Sequence, residues 1–145
     1  MLDQVEIEVS DSDIDALGHV NNARFLEYFE RGRIHWYNSI ALFSDPSFRG
    51  RLGTAVVSMK INFRRECFQG NLLHVRTAPQ SKGNRSYVLY QEILNAAGEL
   101  VADAEVTSVV MDLDLRSSID MPAVLADQFT NPVGVEESIK SKEKQ

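Results

Sequence analysis

Asp13-Ile14-Asp15-Ala16-Leu17-Gly18-His19-Val20-Asn21-Asn22, followed closely by Phe25-Leu26-Glu27-Tyr28-Phe29-Glu30-Arg31-Gly32-Arg33, is the stretch on which the reading of this chain turns. Its first half is polar and contains Gly18, so it reads as a loop. The period then changes. Phe25, Leu26, Phe29, Gly32, Trp36, Tyr37 and Ile40 recur at spacings of three and four, which predicts one apolar face of a helix from Asn22 to about Ile40. Asn21 or Asn22 is placed to cap it. Gly32 costs helix propensity on that face, so it suits a close approach to another element.

Outward from this junction the pattern is mostly strand. Val5, Ile7 and Val9 alternate with polar residues over 4–10, ahead of the loop. After the helix, Ser44 to Gly50 is rich in turn residues. Val57, Met59, Ile61 and Phe63 then alternate with Ser58, Lys60, Asn62 and Arg64, and Leu73, Val75 and Thr77 with His74 and Arg76. Turns at Gln69–Asn71, Ser81–Arg85 and Asn95–Gly98 separate these runs from strands at Tyr87–Leu94 and Leu100–Leu113. Asp120 and Pro122 open a short helix over Met121–Phe129. The order is strand, long helix, four strands joined mostly by tight turns. With no second long helix to cover it, the helix must lie on the sheet, which predicts an α+β domain with a largely antiparallel, curved sheet over residues 1–130. The polar run 131–145 reads as a frayed tail. An open sheet leaves edges that pairing with a second copy would protect, so a homodimer, or a homotetramer built from it, is expected.

Composition narrows the function. The chain has 145 residues, 43% of them hydrophobic, and a net charge of -6. That acidic balance argues against non-specific nucleic-acid binding. Cys67 is the only cysteine, so neither an intrachain disulfide nor a multi-cysteine zinc site is expected. The three histidines are dispersed and form no metal motif. No signal-peptide pattern and no apolar run of membrane-spanning length is visible, so the expected location is cytoplasmic.

Carboxylates beside a glycine at a loop-to-helix junction place a charged base near the unpaired N–H groups of a helix N-terminus. Acyl transfer to water needs both, a base or nucleophile and an oxyanion donor. At these residues the chain resembles the hotdog-fold acyl-CoA thioesterases of the 4-hydroxybenzoyl-CoA thioesterase-like branch. The resemblance rests on the Asp13–Asn22 run and the Phe25–Arg33 segment, and it covers roughly residues 4–125. It implies a five-stranded antiparallel sheet wrapped around one long helix. It also implies hydrolysis of an acyl-CoA, or an acyl-carrier-protein thioester, with CoA as part of the substrate, no separate cofactor and no metal. Asp15, three residues before Gly18, matches the family's catalytic aspartate. Asn22 falls where the helix N-terminus offers a backbone N–H to the thioester carbonyl. His19 and Asn21 match a stretch of the plant acyl-carrier-protein thioesterases that holds a catalytic histidine, although Leu17 stands where those enzymes carry an asparagine. Lys82 and Arg85 align with a basic loop that contacts nucleotide phosphates, and Ser58 is placed to reach a neighbouring subunit's site. Taken without the resemblance, Asp15 reads first as a turn residue, Asn21 as a plain cap and Lys82–Arg85 as a solvated turn. A non-catalytic acyl-thioester binder and a hotdog dehydratase or hydratase fit the same fold.

Overall fold

Alternation of apolar residues builds a sheet whose two faces have different chemistry. The computed structural model describes residues 3–46 and 50–129. Strand β1 (Asp3–Glu8) leads into a loop and helix α1 (Asn22–Ser39). Then come β2 (Leu52–Phe63), β3 (Leu72–Lys82), β4 (Ser86–Leu94), β5 (Leu100–Asp112), the two-residue β6 (Ser117–Ser118) and the short α2 (Ala123–Ala126). The strands lie in the order β1-β3-β4-β5-β2, with β6 against β5, and every pairing is antiparallel.

The register separates the faces. Val5, Val75, Ile93, Ala102 and Phe63 stand abreast across the five strands. With Val106, Ile61 and Met59, the first four join Phe25, Tyr28 and Phe29 of α1 in one core, and the half-exposed Phe63 meets the Phe25 ring at its edge. One residue along, Gln4, Arg76, Glu92, Asp103 and Asn62 form a polar row on the opposite face. There Asp103 accepts from Asn62 Nδ2 at 2.8 Å and from Arg64 Nε at 2.7 Å. A second apolar cluster fills the C-terminal end of the helix, where Trp36 and Tyr37 meet Leu52, Tyr87, Leu89 and Leu125 of α2.

The α+β architecture follows the sequence expectation: a curled antiparallel sheet around one long helix. Three details differ. β2 starts at Leu52, five residues before the period announces it, because a bulge between Val56 and Ser58 breaks the alternation. β3 runs on to Lys82 past a second bulge at Pro79, a residue that cannot donate to the ladder and reads as an end. The predicted Met121–Phe129 helix is a four-residue helix followed by a 3-10 turn over Asp127–Phe129. The expected tail at 131–145 lies outside the described residues. Among the described residues no helix is long and apolar enough to cross a membrane.

α1 packs on β1, β3 and β4. Gly32 sets the distance. A Cβ there would stand 2.6 Å from Val75 Cγ1 and 2.9 Å from Gln91 Nε2. Gln91, fully buried on β4, uses this approach to hold the helix. Its Nε2 donates to the Phe29 carbonyl and to Thr77 Oγ1, both at 2.9 Å, and its Oε1 accepts from Arg33 at 3.1 Å. Arg33, which the i, i+3 spacing to Glu30 would leave on the surface, is therefore drawn inside, and burial lowers its pKa.

Candidate active site

The loop before α1 is a small hairpin. Ile14 and Val20 form an isolated antiparallel bridge, the Asp15 N–H donates to the His19 carbonyl at 3.0 Å, and Gly18 turns the chain at φ +86°. Only glycine adopts that backbone without a Cβ penalty. Asp15 and His19 thus face each other across the turn, with Asp15 Oδ2 3.6 Å from His19 Nε2. Asp15 Oδ1 accepts from the Leu17 N–H at 2.9 Å, so the local turn fixes its carboxylate.

Asp13, the other aspartate of the loop, is committed elsewhere. Its Oδ2 accepts from the Tyr28 hydroxyl at 2.7 Å and from the Ser10 N–H at 3.2 Å, which ties the loop to the helix. Burial works to raise its pKa, yet these bonds and the nearby Arg24 guanidinium hold it below the ordinary carboxylate range. Burial, with the bond to Asp13, pushes the Tyr28 phenol well above its usual value.

The loop delivers the chain to the N-terminus of α1. Asn21 is the cap, as expected. Its side-chain oxygen accepts from the Ala23 N–H at 2.9 Å, and its carbonyl accepts from the Arg24 N–H. No acceptor among the described residues takes the Asn22 N–H, which stands at the positive end of an 18-residue helix.

A cavity of about 230 Å³ opens beside this amide. Polar His19, Asn22 and Glu66, apolar Val20, Phe25 and Phe63, and the basic pair Arg64 and Arg65 line it. His19 Nδ1 lies 2.8 Å from Glu66 Oε1. The imidazole is therefore flanked by two carboxylates, and its own side chain and that of Asp15 are each 25% exposed. Glu66 is the site residue that sequence reasoning missed. It is 47 positions from His19, and its only mark in the sequence is a place just past a predicted strand, before an apolar Cys67. Cys67 itself is buried in the core, and burial raises its thiol to about 11, so it is a packing residue.

Of the expected site residues, His19 and Asn22 line this cavity; Asp15 is outside its lining and borders it only through His19, 3.6 Å away, and Asn21 serves as the helix cap. Ser58, Lys82 and Arg85 do not join them within the chain. Ser58 is exposed at the bulge of β2, on the edge of the sheet. Lys82 ends β3, and Arg85 follows on the turn into β4, where it binds Asp120 at 3.1 Å and the Ser118 carbonyl at 3.2 Å. That turn sits beside Val110, which pairs with Thr54 near the start of β2, whereas the cavity is at the Phe63 end. No three His, Cys, Asp or Glu side chains among the described residues are grouped to hold a metal ion.

A curled antiparallel sheet around one helix, with an open helix N-terminus beside an imidazole set between carboxylates, defines a hotdog protein. The chain belongs to the thioesterase-like superfamily, whose family profile matches residues 9–129. It is 32% identical over 135 residues to the long-chain acyl-CoA thioesterase FadM of Escherichia coli (strain K12), covering 90% of this chain and 98% of that one. Among solved structures it resembles the probable thioesterase YbaW of Escherichia coli at 30% identity and a TM-score of 0.72, covering 86% of this chain and 94% of that one. It also shares its fold with Slr0204, a 1,4-dihydroxy-2-naphthoyl-CoA thioesterase from Synechocystis, at 21% identity and a TM-score of 0.77, with 90% and 97% of the two chains covered.

Proposed function

We propose that this protein hydrolyses acyl-CoA thioesters to a free acid and CoA, and that the cavity beside Asn22 is where it does so. The observation that carries the reading is His19 held between Glu66 and Asp15 at the open end of α1. The 3.6 Å between His19 Nε2 and Asp15 Oδ2 is longer than a direct hydrogen bond, which leaves Asp15 Oδ2 free to engage an incoming water beside the imidazole. In the proposed reaction the thioester carbonyl oxygen takes the Asn22 N–H. Water held by Asp15 and His19 attacks the carbonyl carbon as Asp15 takes its proton. The tetrahedral oxyanion is stabilised by the Asn22 N–H and the helix dipole. Collapse breaks the carbon–sulfur bond, and CoA leaves as a thiolate, a leaving group that needs no strong general acid; the proton taken by Asp15 passes to the departed sulfur or to solvent, which restores the carboxylate. Glu66 sets the tautomer of His19 by accepting from Nδ1, and Asn21 holds the helix start in place.

The working form is proposed to be a homodimer paired along the free edge of β2. Antiparallel pairing about a two-fold axis sets the Leu52 end of one strand beside the Phe63 end of the other. The β3–β4 turn then approaches the partner's cavity, so Lys82 and Arg85 would reach the nucleotide phosphates across the interface, with Ser58 near the axis. Acyl-CoA is favoured over an acyl-carrier protein on the strength of the FadM relative.

The test is thiol release from an acyl-CoA series, followed with a thiol-trapping dye. Asp15→Asn should lower kcat by about 10²–10⁴-fold, the range for a positioned acid–base group, with little change in substrate binding. Glu66→Gln should lower kcat less and displace the pH profile. Single turnover in ¹⁸O-water should label the product acid alone; label in the Asp15 carboxylate would identify direct attack through an anhydride. Undiminished kcat in Asp15→Asn would remove the carboxylate from the reaction.

A further inference from the structure

Just past the Phe63 end of β2 two consecutive residues leave the ladder at one point. The N–H groups of Arg64 and Arg65 both donate to the Val101 carbonyl, at 2.8 and 3.1 Å. Both residues line the cavity beside Asn22, and among the described residues that line it they alone are permanently cationic. Their side chains take different partners. Arg64 Nε donates to Asp103 Oδ2 at 2.7 Å, and that carboxylate is buried. Arg65 Nη2 lies 3.1 Å from Glu99 Oε2, the two side chains being 53% and 45% exposed. The other Glu99 oxygen accepts from Asn95 Nδ2 at 3.0 Å.

Burial decides which arginine can change partners. Taking Arg64 from Asp103 strands a charge inside the sheet, which is costly. An exposed pair such as Arg65 with Glu99 contributes little and is screened by salt. A phosphate presents the same kind of oxygen acceptor with more charge, and a guanidinium grips two of its oxygens through parallel N–H bonds. Arg65 can therefore exchange Glu99 for a phosphate, whereas Arg64 is committed to Asp103.

Charge and position identify the ligand. The chain has a net charge of -6, and Glu66 adds a carboxylate to the cavity wall, so a polyanionic substrate needs a local cation to approach. Glu99 lies outside the cavity lining, so the Arg65 guanidinium is carried outward, away from the Asn22 amide and toward the turn between β4 and β5. An acyl-CoA has the matching layout: an uncharged pantetheine arm separates its thioester from its diphosphate.

We infer that Arg65 binds the diphosphate of CoA beside its own chain's cavity, releasing Glu99, while Arg64 stays on Asp103. The 3′-phosphate, on the ribose beyond, is left to Lys82 and Arg85. This assignment rests on the acyl-CoA reading above, and a binding measurement made without turnover separates the two.

Isothermal titration calorimetry at low salt gives Kd for CoA, 3′-dephospho-CoA and pantetheine on the wild type, Arg65→Gln, Glu99→Gln and the double variant. Arg65→Gln should weaken CoA and 3′-dephospho-CoA alike, by about tenfold, the size of a lost charge-assisted bond, and should leave pantetheine as it was. Glu99→Gln should act in the opposite sense and tighten both nucleotides by up to about fivefold, because the competing carboxylate is gone. In the double variant that gain should vanish. A loss confined to CoA would move Arg65 to the 3′-phosphate, and a loss shared by pantetheine would make its role structural. A Glu99→Gln gain that survives without Arg65 would be a general effect of charge. Each of these overturns the inference, as does a wild type that binds pantetheine as tightly as CoA. In turnover, Arg65→Gln should raise KM for acyl-CoA and spare kcat. A wild type that hydrolyses no thioester yet shows the expected binding pattern removes the hydrolase reading and keeps the role of Arg65. A wild type that hydrolyses acyl-CoA, with Arg65→Gln binding CoA equally well, does the reverse.

Discussion

Asp13 accepts the Tyr28 hydroxyl at 2.7 Å, whereas Asp15, two positions on, lies across a turn from His19. The two side chains are chemically identical, and the backbone between them decides what each does. Asp13 braces the loop and Asp15 faces the imidazole. The pKa of Asp13, held below its unfolded value by the Tyr28 and Ser10 bonds against the opposing effect of burial, links it to acid stability. A depressed carboxyl contributes stability that is complete above the unfolded pKa of about 3.9 and is lost as pH falls through the lower folded value. Asp13→Asn cannot gain or lose that contribution. Its Tm should therefore lie below wild type at neutral pH, with the gap narrowing as pH is taken below about 4. A gap that stays constant down to acid unfolding would show that the carboxylate's charge is not what braces the loop.

At the scale of elements, the contact between α1 and the sheet is set by one missing side chain. Helix propensity alone favours Gly32→Ala by about 1 kcal/mol. The new methyl group, however, would stand 2.6 Å from the stiff, β-branched Val75 and would press on Gln91 and Thr77. Overpacking of this kind costs about 1–3 kcal/mol, so the packing effect wins. Gly32→Ala should lower Tm by a few degrees in a thermal melt. A rise in Tm would mean that the sheet yields. The same element carries a polar interior: Arg33, Gln91 and Thr77 lie beneath the helix with their bonds made among themselves and to the Phe29 carbonyl. Such a network contributes little net stability when complete and costs several kcal/mol when one member is removed. Its effect here is to fix which turn of α1 sits on which strand, and so where the helix N-terminus opens.

For the whole molecule, the decisive feature is an edge. β2 is twelve residues long, bonded on one side to β5 and, among the described residues, to no strand on the other, with Val57 60% exposed at its bulge. Long apolar edges pair unless something blunts them. Placing lysines at Val56 and Val57 puts four positive charges along a two-fold-related edge pair. In sedimentation velocity this variant should run as a monomer with its far-UV circular dichroism preserved. Its thioester turnover should fall with the dimer, since the proposed site draws on both chains. A fully active monomer would show that each chain holds a whole site.

Much of this molecule was legible in its sequence. The period of 3.6 after Asn22, the period of two in three runs, and the turn residues that bound these and two further strands determined the helix, the antiparallel pairing and the layer on which the helix rests. The Asp15-x-x-Gly18-His19 spacing was legible for the same reason: those residues meet through a local turn, and local geometry follows from neighbours in the chain. The bulges at Val56 and Pro79 hid parts of two strands because they interrupt the alternation that announces a strand. Glu66, Gln91 and the separate employment of Asp13 were decided only in the tertiary structure. Each depends on residues brought together from distant positions, 47 apart for Glu66 and His19 and 58 apart for Gln91 and Arg33, and no periodicity encodes such a meeting. The chain's own residues specify the elements and the short turn; packing of the helix onto the sheet specifies which side chains share a cavity.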